Sequence, residues 1–273
     1  MADISVSLIN PTKTPRAAGR RVKEAMRHLL SRRTGDHDIQ TGHLKGARIH
    51  TSWHDYPGAI LGTTERSLLR WFAANVERGE TWLDVGAHYG YTAIALSRLV
   101  GESGRVFAFE PVLSTAGCLA RTRDLNGLAQ LTIVPLALGG QAGIHPLRLP
   151  ATRGMADSTL AGFAPSETIF ATSFDALWPT LAGRDQPIHG VKIDVQGMEA
   201  EVIAGMRESL LRHAPRLIVE FHRGVDRREV LGLLASAGYA GEFEAVEGGG
   251  GSLADDASYV FRPEARCASS STR

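Results

Sequence analysis

From Thr81 onward, short apolar runs alternate with stretches of helical periodicity. The runs Thr81–Val85, Arg105–Phe109, Leu131–Pro135, Gly190–Asp194 and Arg216–Phe221 are predicted strands. Apolar positions at helical spacing predict helices over Tyr91–Leu99, Ser114–Asn126, Met198–Met206 and Arg227–Ala237. Strands that alternate with helices in this way build βαβ units and a parallel sheet. The stretch from Gly139 to Pro187 is too long for a simple connection. It is expected to hold an extra hairpin, with Ile144–Leu149 as one strand, and a helix after Thr172. Near the end, Glu242–Val246 and Ala257–Phe261 flank the run Gly248 to Gly251. They predict an antiparallel hairpin at the sheet edge. The fold class expected is α/β: a Rossmann-like, mostly parallel sheet with helices on both faces and an antiparallel C-terminal hairpin.

Ahead of this core, Ala18, Val22, Ala25, Met26, Leu29 and Leu30 recur at helical spacing among Arg16, Arg20, Arg21, Lys23, Arg27, Arg32 and Arg33. This predicts a basic amphipathic helix whose plain role is to cap the main domain with its charges in water. A contact with an anionic substrate or surface is the other reading. Thr34–Thr64 reads as loop, rich in His43, His50, Trp53, His54 and Tyr56, and Glu65–Val76 as a helix. The domain boundaries expected are 1–64 for a capping extension, 65–264 for the catalytic domain and 265–273 for a disordered tail.

Composition narrows the class. The 273 residues carry a net charge of +1, which gives no global pull toward nucleic acid or a membrane surface. No apolar run reaches the roughly 18 residues that a spanning helix needs. Cys118 and Cys267 make neither a disulfide framework nor a metal-ligand pattern. A cytoplasmic location is expected, with no nucleic-acid partner and no stable membrane insertion.

The most informative segment is Leu83-Asp84-Val85-Gly86-Ala87-His88-Tyr89-Gly90. An apolar strand ends in a carboxylate and a glycine-containing turn leads into a helix. Ligands of open α/β sheets bind outside the carboxyl ends of such strands. A dinucleotide turn reads G-x-G-x-x-G and seats a pyrophosphate, which Asp84 would repel. The same carboxylate would attract the ammonium of a methionine moiety. The pattern therefore favours S-adenosyl-L-methionine as cofactor, with Asp84, Gly86, His88 and Gly90 around it. The next strand ends in Glu110-Pro111, 20 residues past Gly90. A carboxylate at this spacing accepts hydrogen bonds from ribose hydroxyls.

Four segments resemble the FkbM family of methyltransferases, over about Tyr56 to Tyr239. They are Leu83 to Thr92; Phe107 to Pro111 with Leu125-Asn126-Gly127-Leu128; Gly190-Val191-Lys192-Ile193-Asp194-Val195-Gln196-Gly197-Met198-Glu199; and Pro215 to His222. The third is the most particular to that family. The resemblance implies a class I methyltransferase fold and O-methylation of a sugar, natural product or other small molecule. Two positions depart from the family pattern. His88 stands where Asn is usual, and Gln196 where Glu is usual.

Asp194 ends the fourth core strand, with Lys192 on the same face two residues earlier. Glu220 and His222 end the fifth, and Glu199 follows on a helix. All five can line one cleft. The site expected has Asp194, His222 and Lys192 as catalytic residues and Glu199 and Glu220 on the substrate side. Lys192 and Glu199 can instead form a structural ion pair. An alcohol needs a base to become a good nucleophile, and His222, His88 and Asp194 are the candidates. A divalent cation on Asp194, Glu220 and His222 is the less favoured route, so no metal is expected. Two other functions fit less well: a nucleotide-dependent oxidoreductase, which lacks its third glycine here, and a non-catalytic cofactor-binding protein. A nucleic-acid methyltransferase lacks its Pro-Pro-aromatic run, since the fourth strand is followed by Val195-Gln196-Gly197.

Overall fold

The computed structural model describes residues 30–148, 166–241, 243–246 and 253–264. A seven-stranded sheet runs through the molecule in the order β11-β12-β10-β9-β3-β4-β5. Its parallel members are β3 (Thr81–Val85), β4 (Arg105–Phe109), β5 (Leu131–Val134), β9 (Gly190–Ile193) and β10 (Arg216–Phe221). Next to β10 lies β12 (Ala257–Phe261), antiparallel to it, and β11 (Phe243–Ala245) pairs antiparallel with β12 at the edge. β3 is buried at every position, as expected of a central parallel strand covered on both faces. This is the mostly parallel α/β sheet that the apolar runs predict, with the topology that the family resemblance implies.

Eight helices are seen among the described residues: α1 (Pro57–Leu61), α2 (Arg66–Asn75), α3 (Tyr91–Val100), α4 (Leu113–Leu125), α5 (Phe174–Leu181), α6 (Glu199–Gly205), α7 (Arg207–His213) and α8 (Arg227–Ser236). They sandwich the sheet between two apolar cores. One gathers Leu68, Phe72, Trp82, Ile94 and Leu119; the other gathers Phe109, Phe174, Trp178, Val191 and Phe221. The reversal of strand order falls between β3 and β9, so the carboxyl ends of these two strands open the crevice where ligands of such sheets bind.

The long connection holds more than a hairpin. β7 (Gly143–Arg148) pairs antiparallel with β8 (Ser166–Thr172), and β8 pairs parallel with the short β6 (Ala137–Leu138). The segment 34–64, expected as loop, contains a further hairpin of β1 (Gly35–Asp38) and β2 (Arg48–Thr51) and the short α1. This hairpin is clamped on α4. Arg48 N–H donates to Asn126 Oδ1, His50 N–H donates to Thr122 Oγ1, and Arg121 forms an ion pair with Asp36. Its strands are polar because their partner is one helix face. Alternation of apolar and polar residues therefore cannot reveal them.

Of the basic helix expected around residues 16–33, positions 16–29 lie outside the described residues, and residues 30–33 are not helical. The tail 265–273 and the glycines Gly248–Gly251 also lie outside them. Among the described residues, no helix is long and apolar enough to cross a membrane.

Candidate active site

A cavity of about 420 Å³ opens at the carboxyl ends of β3, β4, β9 and β10. Its wall includes Gly86, His88, Glu110, Pro111, Lys192, Asp194, Glu220 and His222. The sequence motifs from four strand ends therefore meet at one place, because parallel strands deliver their C-terminal residues to the same edge.

The turn after β3 is built by backbone constraints. Gly86 has φ 82°, and a β carbon there would stand 1.8 Å from the Asp194 carbonyl oxygen. Gly90 has φ 90°, and its β carbon would meet Leu119 Cδ1 at 2.3 Å. Both glycines let the protein pack against itself, where the sequence suggested close approach to a ligand. His88 has φ 51° and Gln196 φ 56°. Both positions that depart from the family pattern are thus left-handed, a conformation that Asn, Asp and His adopt more readily than most residues.

Glu110 closes the cofactor side. Its Oε2 accepts from the His88 N–H at 2.9 Å and its Oε1 from the Val112 N–H at 3.0 Å. The carboxylate is only 6% exposed, and burial pushes its pKa up to about 7 against those two hydrogen bonds. Each oxygen keeps a lone pair for a further donor. A carboxylate held at the cavity wall by backbone donors fits a nucleoside with paired ribose hydroxyls. The aromatic rings of Tyr56, His88 and Tyr89 pack edge-to-face beside it.

Asp84 departs from its expected role. It is fully buried and does not line the cavity. Its Oδ2 accepts from Thr92 Oγ1 at 2.7 Å, and its Oδ1 lies 3.3 Å from Lys192 Nζ. The register explains this, since Asp84 on β3 is the direct partner of Lys192 on β9. Lys192 in turn lies 3.3 Å from Asp194 Oδ2. Burial alone would push the Lys192 ammonium down, but Asp84 and Asp194, with Glu65 and Glu220 behind them, hold it above the ordinary lysine value. Lys192 is therefore a fixed cation shared by two aspartates. The alternative pairing with Glu199 does not form.

Glu199 also lies away from the cavity wall. It is 0% exposed, and its Oε1 accepts from His222 Nδ1 at 2.9 Å and from the Gly197 N–H at 3.2 Å. The other face of the imidazole looks into the cavity. His222 Nε2 lies 2.8 Å from Gln196 Nε2, 3.4 Å from Asp194 Oδ1 and 3.6 Å from Glu220 Oε1. Burial works against a charged ring, but the Glu199 hydrogen bond and the charges of Asp194 and Glu220 outweigh it and make His222 more basic than usual. His88 is the opposite case. Burial brings it down to about 4, which makes it a poor base. Glu220 is pushed up to about 8 by burial, with Asp194 and Glu65 adding to the effect. Asp194, Glu220 and His222 each present one donor atom within 4.8 Å of the others, a span one divalent cation can bridge. The Lys192 ammonium already stands against Asp194 at this spot.

Several wall residues escaped the sequence reading. Asp55, Thr64 and Glu65 come from the segment before the core, and Ile169 comes from β8. None belongs to a motif. Tyr56 carried only a weak signal, as an aromatic residue in a loop-rich stretch.

Known proteins resemble this chain over the part that builds most of the sheet and the cavity. The methyltransferase FkbM domain matches residues 84–240, more than half of the chain. The hexuronic acid methyltransferase AglP of Haloferax volcanii is 32% identical over 178 residues, covering 63% of this chain and 69% of that protein. Two solved structures align more loosely. The methyltransferase FkbM of Methylobacillus flagellatus is 18% identical with a TM-score of 0.46, covering 73% of this chain and 51% of that one, so the chain spans about half its length. The SAM-dependent O-methyltransferase of Thermotoga maritima is 16% identical with a TM-score of 0.47, covering 73% of this chain and 64% of that one. The chain belongs to the FkbM methyltransferase family and is an S-adenosylmethionine-dependent methyltransferase.

Proposed function

We propose that this enzyme methylates an oxygen, the hydroxyl of a sugar, natural product or other small molecule. The observation that carries this reading is the placement of His222 Nε2. It faces the cavity 3.4 Å from Asp194 Oδ1, on the side away from the buried Glu199. A neutral imidazole beside a carboxylate suits removal of a hydroxyl proton. A relative named for methylating a hexuronic acid supports a sugar-like acceptor. With a net charge of +1, the chain has no general electrostatic attraction to nucleic acid. Its two cysteines, far apart in the sequence, suit a reducing cytoplasm.

In this reading Glu110 binds the ribose hydroxyls, and Gly86, His88 and Pro111 complete the wall on that side. S-adenosylmethionine supplies an electrophilic methyl group when bound. Asp194 and Glu220 orient the acceptor, and His222 takes its proton. Lys192 holds the Asp84 and Asp194 carboxylates in place. Alignment of the acceptor oxygen is the protein's main contribution to such a displacement.

The test is incubation of the purified protein with S-adenosylmethionine labelled in its methyl group and a panel of neutral sugars, uronic acids, amino sugars and phenols. Label recovered as an O-methyl group is expected. Label recovered on nitrogen alone would overturn the reading. Calorimetry that detects NAD but not S-adenosylhomocysteine would favour an oxidoreductase.

A further inference from the structure

Glu199 was expected on the substrate side, yet it lies behind His222. A carboxylate with no exposure to water is costly unless its charge is compensated. Glu199 has two hydrogen-bond donors, the His222 ring and the Gly197 N–H, and both reach the same oxygen, Oε1. Its Oε2 is buried and accepts no hydrogen bond among the described residues. A carboxylate kept only for packing would gain from replacement by an apolar residue. This one instead points its Oε1 at the ring whose far nitrogen faces the cavity.

We infer that Glu199 is a positioning residue that holds His222 with its proton on Nδ1, leaving the Nε2 lone pair to accept the proton of the acceptor hydroxyl. The inference rests on the O-methylation reading. Two contacts define the tautomer. Nδ1–H donates to Glu199 Oε1, and Nε2 receives the Gln196 amide N–H at 2.8 Å. An acceptor hydroxyl that displaces the Gln196 amide meets the same lone pair. In the step, the O–H bond breaks and its proton bonds to Nε2. The electron pair left on oxygen forms the new C–O bond, while the pair of the broken S–C bond stays on sulfur. The positive charge passes from sulfur to the imidazole. Glu199 then faces an imidazolium across 2.9 Å in a buried contact, where such a pair is strongest.

Carboxylate and amide groups surround the His222 ring. Glu199 faces it from α6, Asp194 and Gln196 from the segment after β9, and Glu220 from β10 itself. Lys192 acts through Asp194. Glu199 is the group on the Nδ1 side, so its removal is separable from changes at the cavity.

The experiment compares the wild type with Glu199→Gln, Glu199→Asp and Glu199→Ala. In the Gln variant, the His222 Nδ1–H and the Gly197 N–H hold the amide oxygen in place. The tautomer survives and the charge is lost. The turnover of the Gln variant is expected to fall about 10–100-fold. The rising limb of its kcat against pH is expected to move about one unit lower, because a less basic His222 loses its proton earlier. KM for the acceptor should change little. Glu199→Asp should restore the wild-type limb. A purely structural role would lower kcat at every pH and leave the limb in place, which would overturn the inference. A second readout needs no substrate. In ¹⁵N NMR of the wild type, His222 should be protonated at Nδ1, and in Glu199→Ala this preference should weaken, with only the Gln196 contact left to set it. A wild-type ring protonated at Nε2 would overturn the inference even if every acceptor is turned over. Retained Nδ1 protonation with no hydroxyl methylated would refute the O-methylation reading instead. S-adenosylhomocysteine affinity should be unchanged in all four proteins, since Glu199 lies away from the cofactor side.

Discussion

Lys192 Nζ lies 3.3 Å from Asp84 Oδ1, and the two residues are direct partners across adjacent parallel strands. Asp84 is fully buried, and Lys192 is 4% exposed. Breaking a buried ion pair from one side leaves an uncompensated charge, at a cost of about 3–5 kcal/mol. Lys192→Met should therefore lower unfolding stability by about that amount in a urea titration. The double variant Lys192→Met, Asp84→Asn should recover part of the loss. Additive losses in the double variant would show that the pair does not act as a unit.

Gly86 ties the cofactor turn to the acceptor side. An alanine there would need φ 82° and would drive its β carbon into the Asp194 carbonyl. The backbone must shift, and overpacking of this kind costs about 1–3 kcal/mol besides the strain of a left-handed residue. Gly86→Ala should lower the melting temperature and weaken S-adenosylhomocysteine binding together. A variant with wild-type values for both would show that the turn tolerates the shift.

The central strands are legible because they are buried on both faces and read as short apolar runs, and the helices because their apolar positions recur at helical spacing. The β1–β2 hairpin is not, since Asp36, His50 and Arg48 are polar residues tied to α4 by hydrogen bonds and charge. α7 was hidden because it follows α6 across Met206 alone, a break too short to interrupt the helical periodicity. The motif residues of the site were identified as a set, but not their partners. Register decides that Lys192 meets Asp84, and the inward face of α6 decides that Glu199 meets His222. Neither can be read from spacing along one chain. The wall residues Asp55 and Glu65 carry no motif, so only the fold reveals them.

Glu110 offers a pH test. Its folded-state pKa, pushed up to about 7, lies above the ordinary value of a glutamate. The protonated form is favoured by folding. The stability it contributes to the ligand-free protein is fully present below about pH 4.3 and is lost as pH rises through 7. Ribose hydroxyls donate best to the ionised form, so cofactor affinity should rise over the same interval. Glu110→Gln should flatten both profiles. Glu110→Ala should weaken S-adenosylhomocysteine binding about tenfold or more, from the loss of charge-assisted hydrogen bonds worth about 1.5–3 kcal/mol each. An unchanged dissociation constant would remove Glu110 from the ribose.

Asp194 is the residue whose loss should separate chemistry from binding. Its Oδ2 faces Lys192 at 3.3 Å and its Oδ1 faces His222 Nε2 at 3.4 Å, so it links the fixed cation to the proposed base. It shares the cavity wall with Glu110, the carboxylate that serves the cofactor in this reading. Asp194→Asn keeps the shape and removes the charge. We expect turnover to fall more than about tenfold with cofactor affinity nearly unchanged, in line with the 10²–10⁴-fold typical of positioned proton-transfer groups. Part of the fall comes from the base itself, because Asp194 is one of the charges that raise the basicity of His222. The rising limb of kcat against pH should then shift downward in this variant too. A shared divalent cation on Asp194, Glu220 and His222 would give the same loss by another route. Dialysis of the unmutated enzyme against EDTA distinguishes the two. With Lys192 as the resident cation, turnover should survive chelation. Activity lost to EDTA and restored by magnesium would make Asp194 a metal ligand and replace the base assigned to His222. Normal turnover by Asp194→Asn would move the chemistry away from this strand end altogether.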